Sequence, residues 1–207
     1  MIIGINNLQY VIPVLVPGSQ QLEEEYCQSD WLGFVTSGTV IRHVSGSLQP
    51  LSSWLPDYPA GTAILSSMAG EKLVPQWCQN EKQAMVFMGS LENAKEIRAD
   101  LWDFGYEFQG NTDKELLYTL TNRYLDVGMS PFEAMKLTFL RLQGRFAVMA
   151  IFAQPEQRLI VGSRGYPLGM GVLSSSLIVG SNIQMLKQLY QSVMALEEGK
   201  PLVLCSV

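Results

Sequence analysis

Residues 112–153, TDKELLYTLTNRYLDVGMSPFEAMKLTFLRLQGRFAVMAIFA, contain the change of hydrophobic period that decides the fold. Thr112-Asp113 is a helix start, where a hydroxyl and a carboxylate meet exposed amide groups. Leu116, Leu117, Leu120 and Tyr124 follow on one helical stripe, and Gly128 closes it. Ser130-Pro131 opens a second helix with proline at its first position, and Glu133 three residues after Ser130 completes a capping box. Its stripe is Ala134, Met135, Thr138 and Leu142, and Gly144 follows. From Arg145 the helical spacing is gone, and residues 145–153 read as a strand.

Upstream, residues 93–104 form a helix with Ile97, Leu101 and Phe104 on its apolar face, stopped by Gly105. Strands are expected at residues 2–5, 31–36, 39–44, 63–65 and 84–88. Ser19, after Pro17-Gly18, is placed to cap a short helix through QQLEEEY, and residues 45–61 are loop or short helix. Downstream, residues 158–162, 172–179 and 201–207 read as strands and residues 182–190 as a helix. Strands, a group of helices and more strands give an α+β layered fold, not alternating βαβ units. No linker or repeat divides the chain, so one domain over residues 1–207 is expected.

Bulk composition excludes several functions. Lys plus Arg number 14 against 19 Asp plus Glu, a formal net charge of -5. A nucleic-acid groove needs a positive field to displace counterions, so nucleic acid is not an expected partner. Cys27, Cys78 and Cys205 show neither CxxC spacing nor an even count, which argues against a zinc site or disulfide framework. His43 is the only histidine and sits in the strand-like run TVIRHV, as a partly exposed strand residue. No cofactor or metal is called for. The opening MIIGINNLQYVIPVLVPG lacks a basic region and is broken by Asn6-Asn7, Pro13 and Pro17. It reads as strand and turn, not as a leader or membrane span, and a soluble cytoplasmic protein without a membrane partner is expected.

Residues 84–199 carry, in order, AMVFMGSLEN, GYEFQGNTDKELL, LQGRFAVMAIF, VGSRGYPLGMG, LIVGSNIQML and ALEEGKP. This series resembles the second half of the class II glutamine amidotransferase domain, and is most similar to the glutaminase half of glucosamine-6-phosphate synthase. The first 80 residues match more weakly, through EEYCQSDWLG and GTAILSSMAG. The resemblance implies a four-layer αββα sandwich of the N-terminal-nucleophile type. In that family an N-terminal cysteine attacks the glutamine amide, with its own α-amino group as base. A free amine suits that role because its pKa, about 8, lies near working pH.

Carried over residue by residue, the resemblance implies that the site has lost its chemistry. Met1 and Ile2 bear neither thiol nor hydroxyl. The family's oxyanion-hole Asn-Gly corresponds to Met88-Gly89, which keeps the glycine and loses the side-chain donor. The arginine that grips the substrate carboxylate corresponds to Met68, and a thioether cannot form the bidentate pair. Arg-Gly-Tyr-Asp has become Cys27-Gln28-Ser29-Asp30, keeping Asp30 alone. Asp113 matches the aspartate that holds the α-amino group of glutamine, although Thr112-Asp113 reads first as an ordinary helix start. Cys27 reads as a small buried hydrophobe, and Arg164 as the residue ordering the GSRGYPLG turn.

Glutamine hydrolysis is therefore not expected. The readings left open are an inactive glutaminase-like module for binding, regulation or assembly, an amino-acid sensor that binds without hydrolysis, and an enzyme of different chemistry on the same scaffold. A protein partner or homo-oligomer suits the first, and a small amino-acid ligand the second.

Overall fold

A computed structural model describes residues 2–6, 30–37, 40–46, 62–68, 82–153, 158–173 and 176–204. Two antiparallel sheets carry the fold. The larger orders its strands β10-β8-β9-β1-β4-β2-β3, and the smaller β11-β7-β6-β5. In the larger sheet β1 (Ile2–Asn6) lies between β4 (Thr62–Met68) and β9 (Ser176–Gly180). β2 (Asp30–Ser37) and β3 (Val40–Gly46) extend one side, and β8 (Gly169–Leu173) and β10 (Val193–Ala195) the other. The smaller sheet is built from β5 (Gln83–Leu91), β6 (Gly144–Phe152), β7 (Arg158–Arg164) and β11 (Leu202–Leu204).

The smaller sheet is covered on both faces, which is why its strands are nearly continuous runs of apolar residues. Along β6, Ala147, Met149 and Ile151 enter the layer between the sheets with Ile64 and Val179. Their alternates, Phe146, Val148, Ala150 and Phe152, face the helices. Three helices, α1 (Ala94–Asp103), α2 (Asp113–Asp126) and α3 (Pro131–Arg141), pack there through Ile97, Leu101, Leu116, Leu120, Met135 and Phe139. Close approach between the sheets is set at Gly4, where an added Cβ would come within 3.0 Å of Met149 Sδ. On the far face of the larger sheet, α4 (Ile183–Leu189) rests on a floor of glycines. A Cβ at Gly169 would meet Ile183 at 2.9 Å, and one at Gly171 would meet Tyr190 at 2.9 Å. Helices, sheet, sheet, helix: the order is αββα.

Local sequence signals account for the helix ends. Ser130 Oγ accepts the Glu133 N–H at 3.3 Å, and Glu133 Oε2 accepts the Ser130 N–H at 3.0 Å, the reciprocal capping box. Asn182 Oδ1 caps α4 by accepting the Met185 N–H at 3.0 Å. Gly105 and Gly128 take φ values of +84° and +88° and end α1 and α2. Arg98 on α1 faces the start of α2, and Phe104 beyond the end of α1 faces Arg123 near the end of α2. The two helices therefore run side by side in the same direction, joined by a return segment over residues 104–112.

Three expectations need correction, and one strand lies where none was expected. Residues 172–179 are not one strand: β8 and β9 form an antiparallel pair, with Leu173 opposite Ser176. Phe104 does not belong to the buried stripe; it is 59% exposed, and the Arg123 guanidinium lies 3.6 Å from its ring centroid. β10 was not foreseen, because three residues with two exposed side chains give no periodic signal. Residues 45 and 46 belong to β3, not to a loop. The helix expected after Ser19, residues 47–61, the three cysteines and residues 205–207 lie outside the described residues. No helix among the described residues is long and apolar enough to cross a membrane.

Candidate functional site

Met88 and Gly89 stand near the exit of β5, opposite Ala147 and Phe146 of β6. Met88 is half-buried and packs against the layer between the sheets. Its neighbour Ala147 is in turn paired with Ser163 on β7, so the three lie in one row across the smaller sheet. The Ser163 hydroxyl is buried and has no hydrogen-bond partner among the described residues. Gly89 is exposed and takes φ +121°. A Cβ there would lie 2.2 Å from the Arg145 carbonyl oxygen and 2.7 Å from Phe146 Cα, so only glycine fits this backbone.

Asp113 occupies the first position of α2, after the cap residue Thr112. Its Oδ2 accepts the N–H of Leu91 at 2.8 Å, tying the helix start to the end of β5. Thr112 Oγ1 accepts the Glu115 N–H at 3.3 Å. The Glu115 carboxylate turns back to the return segment, accepting N–H groups of Gln109 at 2.6 Å and Gly110 at 3.0 Å. Arg98 completes this arrangement. It donates to the carbonyls of Gly110 at 3.3 Å and Thr112 at 2.9 Å, and lies 4.4 Å from the centre of the Phe108 ring. Sequence reading missed Arg98 and Glu115. The signal was present in Thr112-Asp113-Lys114-Glu115, which has the spacing of a capping box. Here the glutamate holds the preceding loop instead of the cap residue's own amide.

The remaining site candidates fall on the larger sheet. Asp30 and Met68 are opposite one another at the paired ends of β2 and β4. Ile2 is opposite Ser66, which sets the head of β1 beside the last residues of β4. Cys27 lies outside the described residues. Met88, Gly89 and Asp113 thus gather at the exit of β5 in one sheet, and Met68 and Asp30 at a strand end in the other.

Arg164 does not order the turn that follows it. Its guanidinium donates to the carbonyls of Leu142 and, at 3.2 Å, Phe139, satisfying the last carbonyls of α3. The turn is held from outside, by Arg145 Nη2 donating to the Gly165 carbonyl at 2.9 Å and Glu198 Oε2 accepting the Gly165 N–H at 2.5 Å. Gly165 adopts φ +67° there. Among the described residues no three His, Cys, Asp or Glu side chains gather closely enough to hold a metal ion.

Comparison with known proteins places this geometry. Residues 63–188 match a family described as the glutamine amidotransferase domain. The chain is 36% identical over 207 residues to a glutamine–fructose-6-phosphate aminotransferase (isomerizing) of Bartonella henselae, covering 96% of this chain and 34% of that protein. It is 30% identical over 209 residues to the protein of the same name from Mesorhizobium japonicum, again covering 96% and 34%. The chain thus spans about a third of the length of these curated relatives. Among solved structures, glutamine phosphoribosylpyrophosphate amidotransferase of B. subtilis superposes with a TM-score of 0.76 at 20% identity. That superposition covers 98% of this chain and 46% of the other, and at this identity it speaks for the fold.

Proposed function

Because this chain belongs to the glutamine amidotransferase domain family, we propose that it keeps the family's scaffold without its glutamine-hydrolysing reaction, and serves as a binding, regulatory or assembly module. The observation that carries this reading is Met88. The resemblance puts a side-chain amide donor at this position, and here a half-buried thioether packs into the layer between the sheets. Loss of one such donor removes about 3 kcal/mol of transition-state stabilisation. Met68 adds to it, since the position implied to grip the substrate carboxylate carries no charge. On this reading residues 1–207 act as one domain, with a protein partner or a second copy as the binding target.

A second reading, an amino-acid sensor, draws on Asp113. The carboxylate is half-buried, and its Oδ1 has no partner among the described residues. Isothermal titration with glutamine and glutamate, run beside an ammonia-release assay, separates the readings. The inactive module gives neither heat nor ammonia. Heat without ammonia favours the sensor, and ammonia release by the purified protein overturns the proposal.

A further inference from the structure

We infer that Asp113 is a positioning residue, a latch that fixes the exit of β5 through the Leu91 amide. Among the described residues β5 is the edge strand of the smaller sheet, with one row of its backbone groups facing no other described strand. Leu91 N–H is one of these groups, and Asp113 Oδ2 takes it at 2.8 Å. A charged acceptor makes this a strong hydrogen bond, and the helix N-terminus favours the same negative charge.

The latch does not act alone. One residue further on, Glu92 N–H donates to the Gln143 carbonyl at 2.9 Å. Next, the Asn93 side chain donates to the Arg141 carbonyl at 2.8 Å and accepts the Gln143 N–H at 2.9 Å. Residues 91–93 are thus bound in succession by α2 on one side and by the α3–β6 link on the other. Gly89 lies two residues inside this bracket, in a backbone conformation that only glycine adopts easily. A strand end bearing such a residue keeps one shape only if its surroundings enforce it. Asp113 supplies the side-chain contact from α2.

Amide hydrogen exchange at Leu91 in the whole chain tests the latch. Asp113→Ala is expected to speed exchange there about tenfold, the effect of losing one net hydrogen bond. Asp113→Asn retains a side-chain oxygen to accept the N–H and restores most of the protection. Ser130→Ala, which weakens the start of α3 instead, leaves Leu91 at the wild-type rate. If the alanine variant does not fold, Asp113→Ser takes its place, because serine suits a helix start but is too short to reach Leu91. Unchanged Leu91 exchange in the variant lacking the acceptor overturns the inference. Glutamine binding that survives both Asp113→Ala and Asp113→Asn would count against the inactive-module reading and leave the latch standing.

Discussion

Gly162 on β7 lies directly beneath the ring of Phe139 on α3, so close that a Cβ on the glycine would come 2.6 Å from Phe139 Cζ. Phe139 is fully buried and meets Phe146 edge-on, with ring centroids 5.2 Å apart. The ring cannot retreat without disturbing that pair, and Pro201 Cα at 3.2 Å closes the other side. Gly162→Ala is therefore expected to destabilise the fold by about 1–3 kcal/mol, the usual cost of overpacking a filled core. Denaturant unfolding measures it, and a midpoint equal to wild type would mean that α3 can lift from the sheet.

Tyr190 carries the opposite kind of defect. Its side chain is 4% exposed, and its hydroxyl has no hydrogen-bond partner among the described residues. Removing an unsatisfied buried hydroxyl while keeping the ring should stabilise the protein, so Tyr190→Phe gains about 1 kcal/mol. For a chain of this size that corresponds to a rise in Tm of roughly 2–4 °C. A lower Tm would show that the hydroxyl is satisfied in solution.

The same residue dictates a pH dependence. Burial pushes the Tyr190 phenol up from 10.0 to about 12. The folded state thus holds the proton more tightly than the unfolded state does. The contribution is whole below pH 10.0 and is lost as pH rises through about 12. Unfolding followed across this window should show wild type losing stability faster than Tyr190→Phe. Parallel curves would remove Tyr190 as the cause.

The capping box of α3 sets an acid counterpart. Hydrogen bonds from the Ser130 hydroxyl and backbone hold the Glu133 carboxyl below its ordinary range. The stabilisation it gives is present above the unfolded carboxylate pKa and fades as pH falls through the lower folded value. Ser130→Ala should remove the hydroxyl's share of this acid dependence, leaving the backbone share, along with the cap, which is worth about 1 kcal/mol at neutral pH. Thermal melts of both proteins from neutral to acid pH test it; the gap between them is expected to narrow as pH falls but not to close, because Ser130 Oγ still accepts the Glu133 N–H.

Restoring one polar group to the candidate site should not restore a reaction. Met88→Asn places an amide beside Gly89, while Met68 still offers no charge for a carboxylate. Ammonia release from glutamine is expected to remain at background in this variant. Release above background would show that the scaffold retains more of the reaction machinery than the proposal allows.

Local chemistry made much of this fold legible. The capping box at Ser130, the glycines that end α1 and α2, and the stripe from Leu116 to Leu120 all act within a few residues, where sequence order and spatial order coincide. The apolar strands β5 to β7 were found for the same reason. Phe104 was misassigned because helical spacing counts a residue beyond the last turn as though the helix continued. The β8–β9 hairpin was hidden in one apolar run, since the register of Leu173 against Ser176 depends on pairing and not on composition. Arg164 was linked to its sequence neighbours, whereas its partners Leu142 and Phe139 lie more than twenty residues away. For the site, residue types could be read but engagement could not: nothing in Thr112-Asp113 announces that the carboxylate already holds Leu91.

The strand order of the larger sheet has a consequence for how the chain folds during synthesis. β5, β6, β7 and the three covering helices all come from residues 83–164, so three strands of the smaller sheet and their helical layer assemble from neighbouring chain, and only β11 joins later. β1 is different. Ile3 pairs with Leu65 on one side and with Gly180 on the other, contacts of very unequal loop length. Until residues 176–180 emerge from the ribosome, β1 presents an open edge to whatever strand is near, and closing that edge is a late, long-range step.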